Sequence, residues 1–298
     1  MRQPGFEMDP KQELPDSQLL AQLYGPLDQP VLFGLDTCQA YRQLVPKEHR
    51  YTAPAGLFNT GTNALEFHLS HNSGGPTKWQ APWGKHRVPA RRLHRAAANM
   101  EQVNQTEALP IVILRDPYFW MQSMCKQPYA AHWRKGPHRC PNLVPTPQDY
   151  QRWKNIQNET TFRVKVIFDR DDVVWWDSLI DLWVDYYRQY YEADYPRIMI
   201  RFEDLLWHAP KVLRAISECL GTTLDKPFAY QTKAAKSHGS GTDFWKALLK
   251  TGNVEKRLHG LTVEDLEYSL QHMDTTLLEV FRYGAPSVKD LPNATDSR

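Results

Sequence analysis

Two short stretches of this chain pair residue types and spacing that could do chemistry. The first is Phe58-Asn59-Thr60-Gly61-Thr62-Asn63, inside the run GLFNTGTNAL. A strand that passes through such a turn into a helix aims several backbone N–H groups at one point, and the helix dipole adds partial positive charge there. Gly61 lets the backbone approach an anion closely, and Thr60, Thr62 and Asn63 bring side-chain donors. That chemistry suits a phosphate or a sulfate-like group. The same residue types also make an ordinary Asn- or Thr-capped helix start. There is no GK[ST], so this is not the usual nucleoside triphosphate loop. The second stretch is LRDPYFWMQSM. Arg115 ends an apolar run, the place where open α/β sheets bind ligands, and Ser123 follows two helical turns later. An arginine fork beside a hydroxyl can clamp a second phosphate. Taken alone, an Arg115–Asp116 surface pair and a helical serine is the simpler account.

The elements that must position these residues are legible as an alternation of strand-like and helix-like segments, which predicts an α/β domain with a parallel sheet flanked by helices. AGLF before the first turn reads as a short strand, and IVIL (Ile111 to Leu114) as a buried parallel strand. RIMIRF (Arg197 to Phe202) alternates, with Ile198, Ile200 and Phe202 on one face. Pro210 then opens a helix that Gly221 ends. Two longer helices are expected. One runs from Val173 to about Ala193, with Trp176, Leu179, Ile180, Trp183, Tyr187 and Tyr190 as its core stripe. The other runs from Thr262 to about Tyr283, followed by Gly284. Residues 1–50 read as an irregular extension with one apolar piece, VLFGL. Residues 51–285 read as the domain and 286–298 as a disordered tail. The long connections 127–160 and 225–260 read as lids or substrate walls.

In combination the two stretches resemble the sulfotransferases that use 3′-phosphoadenosine-5′-phosphosulfate (PAPS). In that family a strand–loop–helix written PK[ST]GTT holds the 5′-phosphosulfate, and Phe58 to Asn63 is similar to it. A later strand ends in arginine, joined at the 3′-phosphate by a serine, as Arg115 and Ser123 would be. A third likeness is IRFEDLLWHAPKVLRAISECLG, Ile200 to Gly221, which follows the family's EDL…P…L…I…LG segment. The resemblance spans about Ala55 to Gly221, and more weakly the rest of the chain to its C-terminus, and implies a P-loop-like fold, with Asn59, Thr60, Gly61, Thr62, Asn63, Arg115 and Ser123 binding PAPS and no metal. It departs at Asn59, where the family carries Lys or Arg. A neutral amide there loses the charge-assisted part of the contact.

The resemblance also draws attention to APWGKHRVPARRLHR. Members carry a Lys/His segment on the strand after the first helix, in cytosolic members similar to K-T-H-x-P. This chain has Lys85-His86-Arg87-Val88-Pro89, one residue out of step. His86 suits a general base near neutral pH. Lys85 suits a cation on the sulfuryl group or its leaving oxygen. Read by itself the segment is a solvated basic edge, continued by Arg91, Arg92, His94 and Arg95. A late Gly-containing basic stretch with Lys233, Lys236, His238, Lys246, Lys250, Lys256 and Arg257 is similar to the family's nucleotide-covering loop, with Gly239 and Gly241 as hinges, while a surface charge run is the simpler account of any one lysine.

The bulk numbers set the outer bounds. With 298 residues, 41% hydrophobic and 23% charged, the chain can bury a sizeable core. A net charge of +2 is too mild to argue for a nucleic-acid binder, so none is expected and any basic site must be local. No apolar run approaches a transmembrane span, and MRQPGFEMDPKQELPDSQLL has no signal-peptide core. The chain as written reads as cytoplasmic, or as the lumenal Golgi part of a longer anchored protein. Sequons at Asn104, Asn158 and Asn293 favour the lumen slightly. The four cysteines, Cys38, Cys125, Cys140 and Cys219, lack CxxC spacing. They are either free thiols or two disulfides, with Cys125–Cys140 the first candidate pair. The expected activity is sulfuryl transfer to a hydroxyl, or an amine, of a glycan or small molecule. The rivals are a phosphotransferase on a related fold and a nucleotide-binding protein without turnover. The QPYAAHWRK loop, Trp79 and Trp83 are either acceptor platforms or core anchors.

Overall fold

A computed structural model describes residues 15–93, 96–97, 99–136, 139–224, 227–231 and 244–292. Among the described residues, the segment 15–50 is not irregular. It contains helix α1 (Ser17–Tyr24), strand β1 (Leu32–Phe33) and helix α2 (Cys38–Leu44). Asp16 caps α1 by accepting from the Gln18 N–H, and Leu20, Leu23, Tyr24 and Tyr41 are buried. These helices have only eight and seven residues, too short to be stable or to show a periodic pattern on their own, so their place in the core comes from tertiary packing.

Strand β2 (Tyr51–Ala55) leads into helix α3 (Thr62–Asn72), and strand β3 (Ala108–Leu114) into helix α4 (Pro117–Lys126). The AGLF strand therefore lies one segment early: the strand stops at Ala55, and Gly56 to Phe58 already belong to the turn. Next come β4 (Ala131–His132), α5 (Pro147–Arg152), β5 (Val164–Asp169), β6 (Asp172–Trp176) and α6 (Leu179–Tyr191). The expected helix from Val173 is thus a strand followed by a shorter helix. Ser178 ends the strand and caps α6, its hydroxyl accepting from the N–H groups of Ile180 and Asp181. Strand β7 (Ile198–Arg201) runs into α7 (Phe202–Trp207) and α8 (Ala209–Leu220). Pro210 sits in the first turn of α8 and Gly221 ends it at φ 77°. All four β7 residues are buried, so the alternation read there does not divide core from solvent.

The C-terminal part holds α9 (Phe244–Thr251), α10 (Val254–Arg257), α11 (Val263–His272) and α12 (Thr275–Val280). The last two replace the single helix expected from Thr262. Met273 is extended, and Asp274 starts a new helix by accepting from the Leu277 N–H.

The main sheet has the order β1-β7-β3-β2. Strands β2, β3 and β7 are parallel, and β1 adds an antiparallel edge, so the sheet is mixed rather than purely parallel. A second sheet, β4-β5-β6, is antiparallel. Both faces of β3 are covered: Leu109, Ile111 and Ile113 share a core with α2, α3 and α8, while Val112 and Leu114 join the one that includes α4 and α6. Burial on both faces explains a strand without alternation. Cys38–Cys219 and Cys125–Cys140 are disulfides, so all four cysteines are paired. No described helix is long and apolar enough to cross a membrane.

Candidate functional site

The parallel strands deliver three chain segments to one edge of the sheet. Register pairs Ala55 with Val112, and Leu114 with Arg201. The carboxyl ends of β2, β3 and β7 therefore lie side by side, and the Phe58–Asn63 turn, Arg115 and Phe202 follow them directly.

The turn is shaped from inside. Asn59 (φ 64°) and Gly61 (φ 94°) are both left-handed and bracket Thr60. Thr60 is fully buried, and its hydroxyl donates to the Leu57 carbonyl at 2.7 Å. Its side chain braces the turn instead of facing outward. A Cβ on Gly61 would lie 2.5 Å from the Phe202 ring, so the residue must lack one. Gly61 is the N-cap of α3 and offers no side-chain cap, whereas α4, α6 and α11 are each capped by a side chain. The Asn- or Thr-capped start that this sequence also allowed is not formed. The first-turn N–H groups of α3 have no intrahelical carbonyl to bond. Thr62 is buried at the start of that turn.

Arg115 faces Ser123 as the spacing anticipated. Its Nη1 donates to Ser123 Oγ at 2.9 Å, and Ser123 Oγ donates in turn to the Phe119 carbonyl at 3.1 Å. The guanidinium lies 5.0 Å over the Phe202 ring, and its buried Nε has no partner among the described residues. Phe202 is the piece that sequence reasoning missed. One ring meets both Gly61 and Arg115, joining the Phe58–Asn63 turn to the Arg115–Ser123 pair. Its only signal was an aromatic directly after a buried strand.

Asp116 does not pair with Arg115 at the surface. It is fully buried, caps α4 through the N–H groups of Tyr118 and Phe119, and accepts from Arg257 at 2.8–3.0 Å. Arg257 is thereby structural, not a covering-loop cation. Buried Glu203 accepts from the Asp116 N–H and from the Tyr283 hydroxyl. Burial raises its carboxyl to about 7, with Arg115 pulling it down and Asp116 pushing it up. Next to it, Arg201 and Asp204 form a fully buried ion pair with two bonds of 2.6 and 2.7 Å.

Lys85 and His86 come to the same edge on a turn, not on a strand. The Gly56 N–H donates to the Lys85 carbonyl at 2.8 Å, and Tyr186 donates to that carbonyl from α6. Lys85 Nζ donates to Asn63 Oδ1 at 2.7 Å, so the ammonium stands at the first turn of α3. Burial lowers its pKa, and Glu66 opposes that. His86 Nδ1 is 2.7 Å from the Gly56 carbonyl, which can only accept. The proton therefore sits on Nδ1, and Nε2 carries the lone pair. Burial first, and Lys85 second, push the imidazole down to about 4, against the opposing bond to Gly56. Phe58 packs 4.5 Å from the His86 ring and also against Tyr129 and Phe168.

Asn59 is turned away from the α3 terminus. Its Nδ2 donates to the Gln127 carbonyl at 2.7 Å and approaches Met124 Sδ at 3.2 Å, while its Oδ1 is buried without a partner. Among the described residues, the rest of the basic run is spent on packing. Arg87 and Arg91 both pair with buried Asp172, and Arg92 stacks 4.1 Å over Tyr195. Trp83 is a core anchor donating to Tyr190, whereas Trp79 is half exposed, 5.9 Å from Lys85 Nζ. His94, Arg95, Lys233, Lys236, His238, Gly239 and Gly241 lie outside the described residues. No group of three or more His, Cys, Asp or Glu among the described residues converges as a metal ligand set. Two surface depressions of about 440 and 400 Å3, lined by residues such as Glu279 and Arg282, and His71 and Thr223, touch none of the site residues. No protein-family model matches the chain, and no curated protein matches it either.

Proposed function

We propose that this protein is a PAPS-dependent sulfotransferase with a P-loop-like α/β fold. The observation that carries the reading is the convergence of an uncapped helix N-terminus with the Arg115–Ser123 pair, linked through Phe202 at one sheet edge. The donor differs from ATP in carrying phosphate at both ends of its ribose, and two separate anion-directed groups match that pattern. The unpartnered, buried Arg115 Nε fits a phosphate oxygen as its missing acceptor.

In this reading the first-turn N–H groups at Gly61 to Asn63 hold the 5′-phosphosulfate, and Arg115 with Ser123 hold the 3′-phosphate. His86 Nε2 takes the proton of the acceptor hydroxyl. The acceptor oxygen forms its bond to sulfur as the bond from sulfur to the bridging phosphate oxygen breaks, and the electron pair leaves with the phosphate. Lys85, tied to Asn63, places positive charge where that negative charge grows. This offsets the neutral Asn59, whose amide is committed to Gln127. In-line transfer of this kind depends on positioning and charge stabilisation. Tyr129, 37% exposed and stacked on the Phe58 ring that also packs against His86, is the ring we assign to touch an acceptor.

The test compares thermal stabilisation by 3′,5′-adenosine bisphosphate, ATP and ATP–Mg²⁺, then assays sulfuryl transfer across glycan and small-molecule acceptors. The reading expects stabilisation by the bisphosphate and transfer to at least one hydroxyl. Stabilisation by ATP–Mg²⁺ alone would favour a phosphotransferase. Bisphosphate binding without transfer would favour a binding protein that has lost turnover.

A further inference from the structure

We propose that Asn104 and Asn158 are N-glycosylation acceptors, modified in the same oxidising lumen in which the two disulfides form. Each begins an N-x-T triplet, Asn104-Gln105-Thr106 and Asn158-Glu159-Thr160. Such triplets are common by chance, so the argument rests on what the fold does with them. In both, the asparagine and the threonine are exposed. A glycan is added to the chain as it is translocated, and the native structure must then leave room for it.

Both sites leave that room. Asn158 follows the short turn Lys154–Ile156, whose Ile156 is buried and anchors it. The Glu159 N–H donates to the Ile156 carbonyl, and Tyr150 donates to the Glu159 carbonyl at 2.8 Å. The backbone is held while the Asn158 amide points into solvent. Asn104 uses only its oxygen: Oδ1 accepts from the Thr106 N–H at 3.1 Å and from Thr106 Oγ1 at 2.8 Å. Its Nδ2, the atom that would carry the sugar, is not needed for the turn. Asn104 precedes β3, at the end of the sheet away from Arg115, roughly 20 Å along the strand, so a glycan there leaves the carboxyl edge open.

The second, independent observation is cysteine pairing. All four cysteines are joined, one pair across the core between α2 and α8 and the other closing the loop after α4. Full pairing belongs to secretory and extracellular compartments, since cytosolic thiols are kept reduced. The lumen that oxidises thiols also supplies a lipid-pyrophosphate oligosaccharide and its transferase. In the transfer, asparagine Nδ2 forms a bond to the anomeric carbon. The bond from that carbon to the pyrophosphate oxygen breaks, the lipid pyrophosphate departs, and one amide proton is lost.

The full chain is expressed behind a cleavable secretion signal in a eukaryotic host, with Asn293→Gln so that only the two described sites report. Secreted protein is run with and without a peptide N-glycosidase. Two mobility steps are expected, with Asn104→Gln and Asn158→Gln each removing one. Thr106→Val and Thr160→Val should act as their asparagine partners do, because transfer needs the hydroxyl as well as the amide. Secreted protein with both disulfides closed but no glycosidase-sensitive step overturns the proposal. Glycosylated protein whose four thiols all react with maleimide overturns the shared-lumen part.

Discussion

Replacing Arg115 by alanine should weaken 3′,5′-adenosine bisphosphate binding while leaving adenosine 5′-monophosphate almost untouched. In the free protein Arg115 makes one neutral-acceptor bond, to Ser123, and a ring contact to Phe202, while its buried Nε has no partner. A phosphate at this position would gain at least one charge-assisted bond, worth about 1.5–3 kcal/mol. That corresponds to roughly a 10- to 150-fold rise in Kd. Ser123→Ala removes one hydroxyl bond that is also charge-assisted through its ionised acceptor, so its loss should fall within the same range and not exceed that of Arg115→Ala, which removes the positive charge itself. Loss of the guanidinium–Phe202 contact costs about 0.5–1 kcal/mol of fold stability, small enough for the variant to remain folded. Isothermal titration of both nucleotides against wild type and the two variants makes the comparison. An unchanged bisphosphate affinity in Arg115→Ala refutes the assignment. So does an equal loss for both nucleotides, since the residue would then not be reading the 3′-phosphate.

Three other outcomes follow from the same geometry. His86→Gln should lower sulfuryl transfer by about 10²–10⁴-fold with bisphosphate affinity unchanged; since the imidazole sits at about 4, wild-type transfer should hold as pH falls from 8 to 5 and fail only near 4. Buried His68, also pushed down to about 4, favours the folded state above pH 6.5, an advantage lost as pH falls towards 4; Glu203, raised to about 7, works in the opposite direction, and its contribution is lost as pH rises from 4.5 through 7, so Glu203→Gln should raise Tm more at pH 8 than at pH 5. Opening Cys38–Cys219, which spans 181 residues, should cost about 5 kcal/mol by chain entropy against about 3 for Cys125–Cys140, which spans 15, with chemical denaturation of the paired alanine variants as the check.

Some of the site was readable because it is local in the chain. Gly61 is needed where the backbone must turn left-handed. Arg115 directly precedes the α4 cap and Ser123 lies within α4, eight residues on, and the apolar run of β3 states burial on both sides without help from the fold. Where the local signals conflicted, the reading slipped. Trp176 fits both a helical stripe and a strand, and only pairing of β6 with β5 selects the strand. Met273 continues the helical pattern of α11, yet Asp274 offers a competing cap that restarts the helix.

The sequence by itself determined the α/β alternation, the glycine turn after β2 and the arginine–serine spacing, because each depends on residues within a few turns of one another. Only the tertiary structure decided which side chains those groups meet. Contacts between segments separate in the chain bring Phe202 against both Gly61 and Arg115, Lys85 onto Asn63 and His86 onto Gly56. Parallel register is the physical reason: it sets the ends of β2, β3 and β7 level, so the segments that leave them must share one edge.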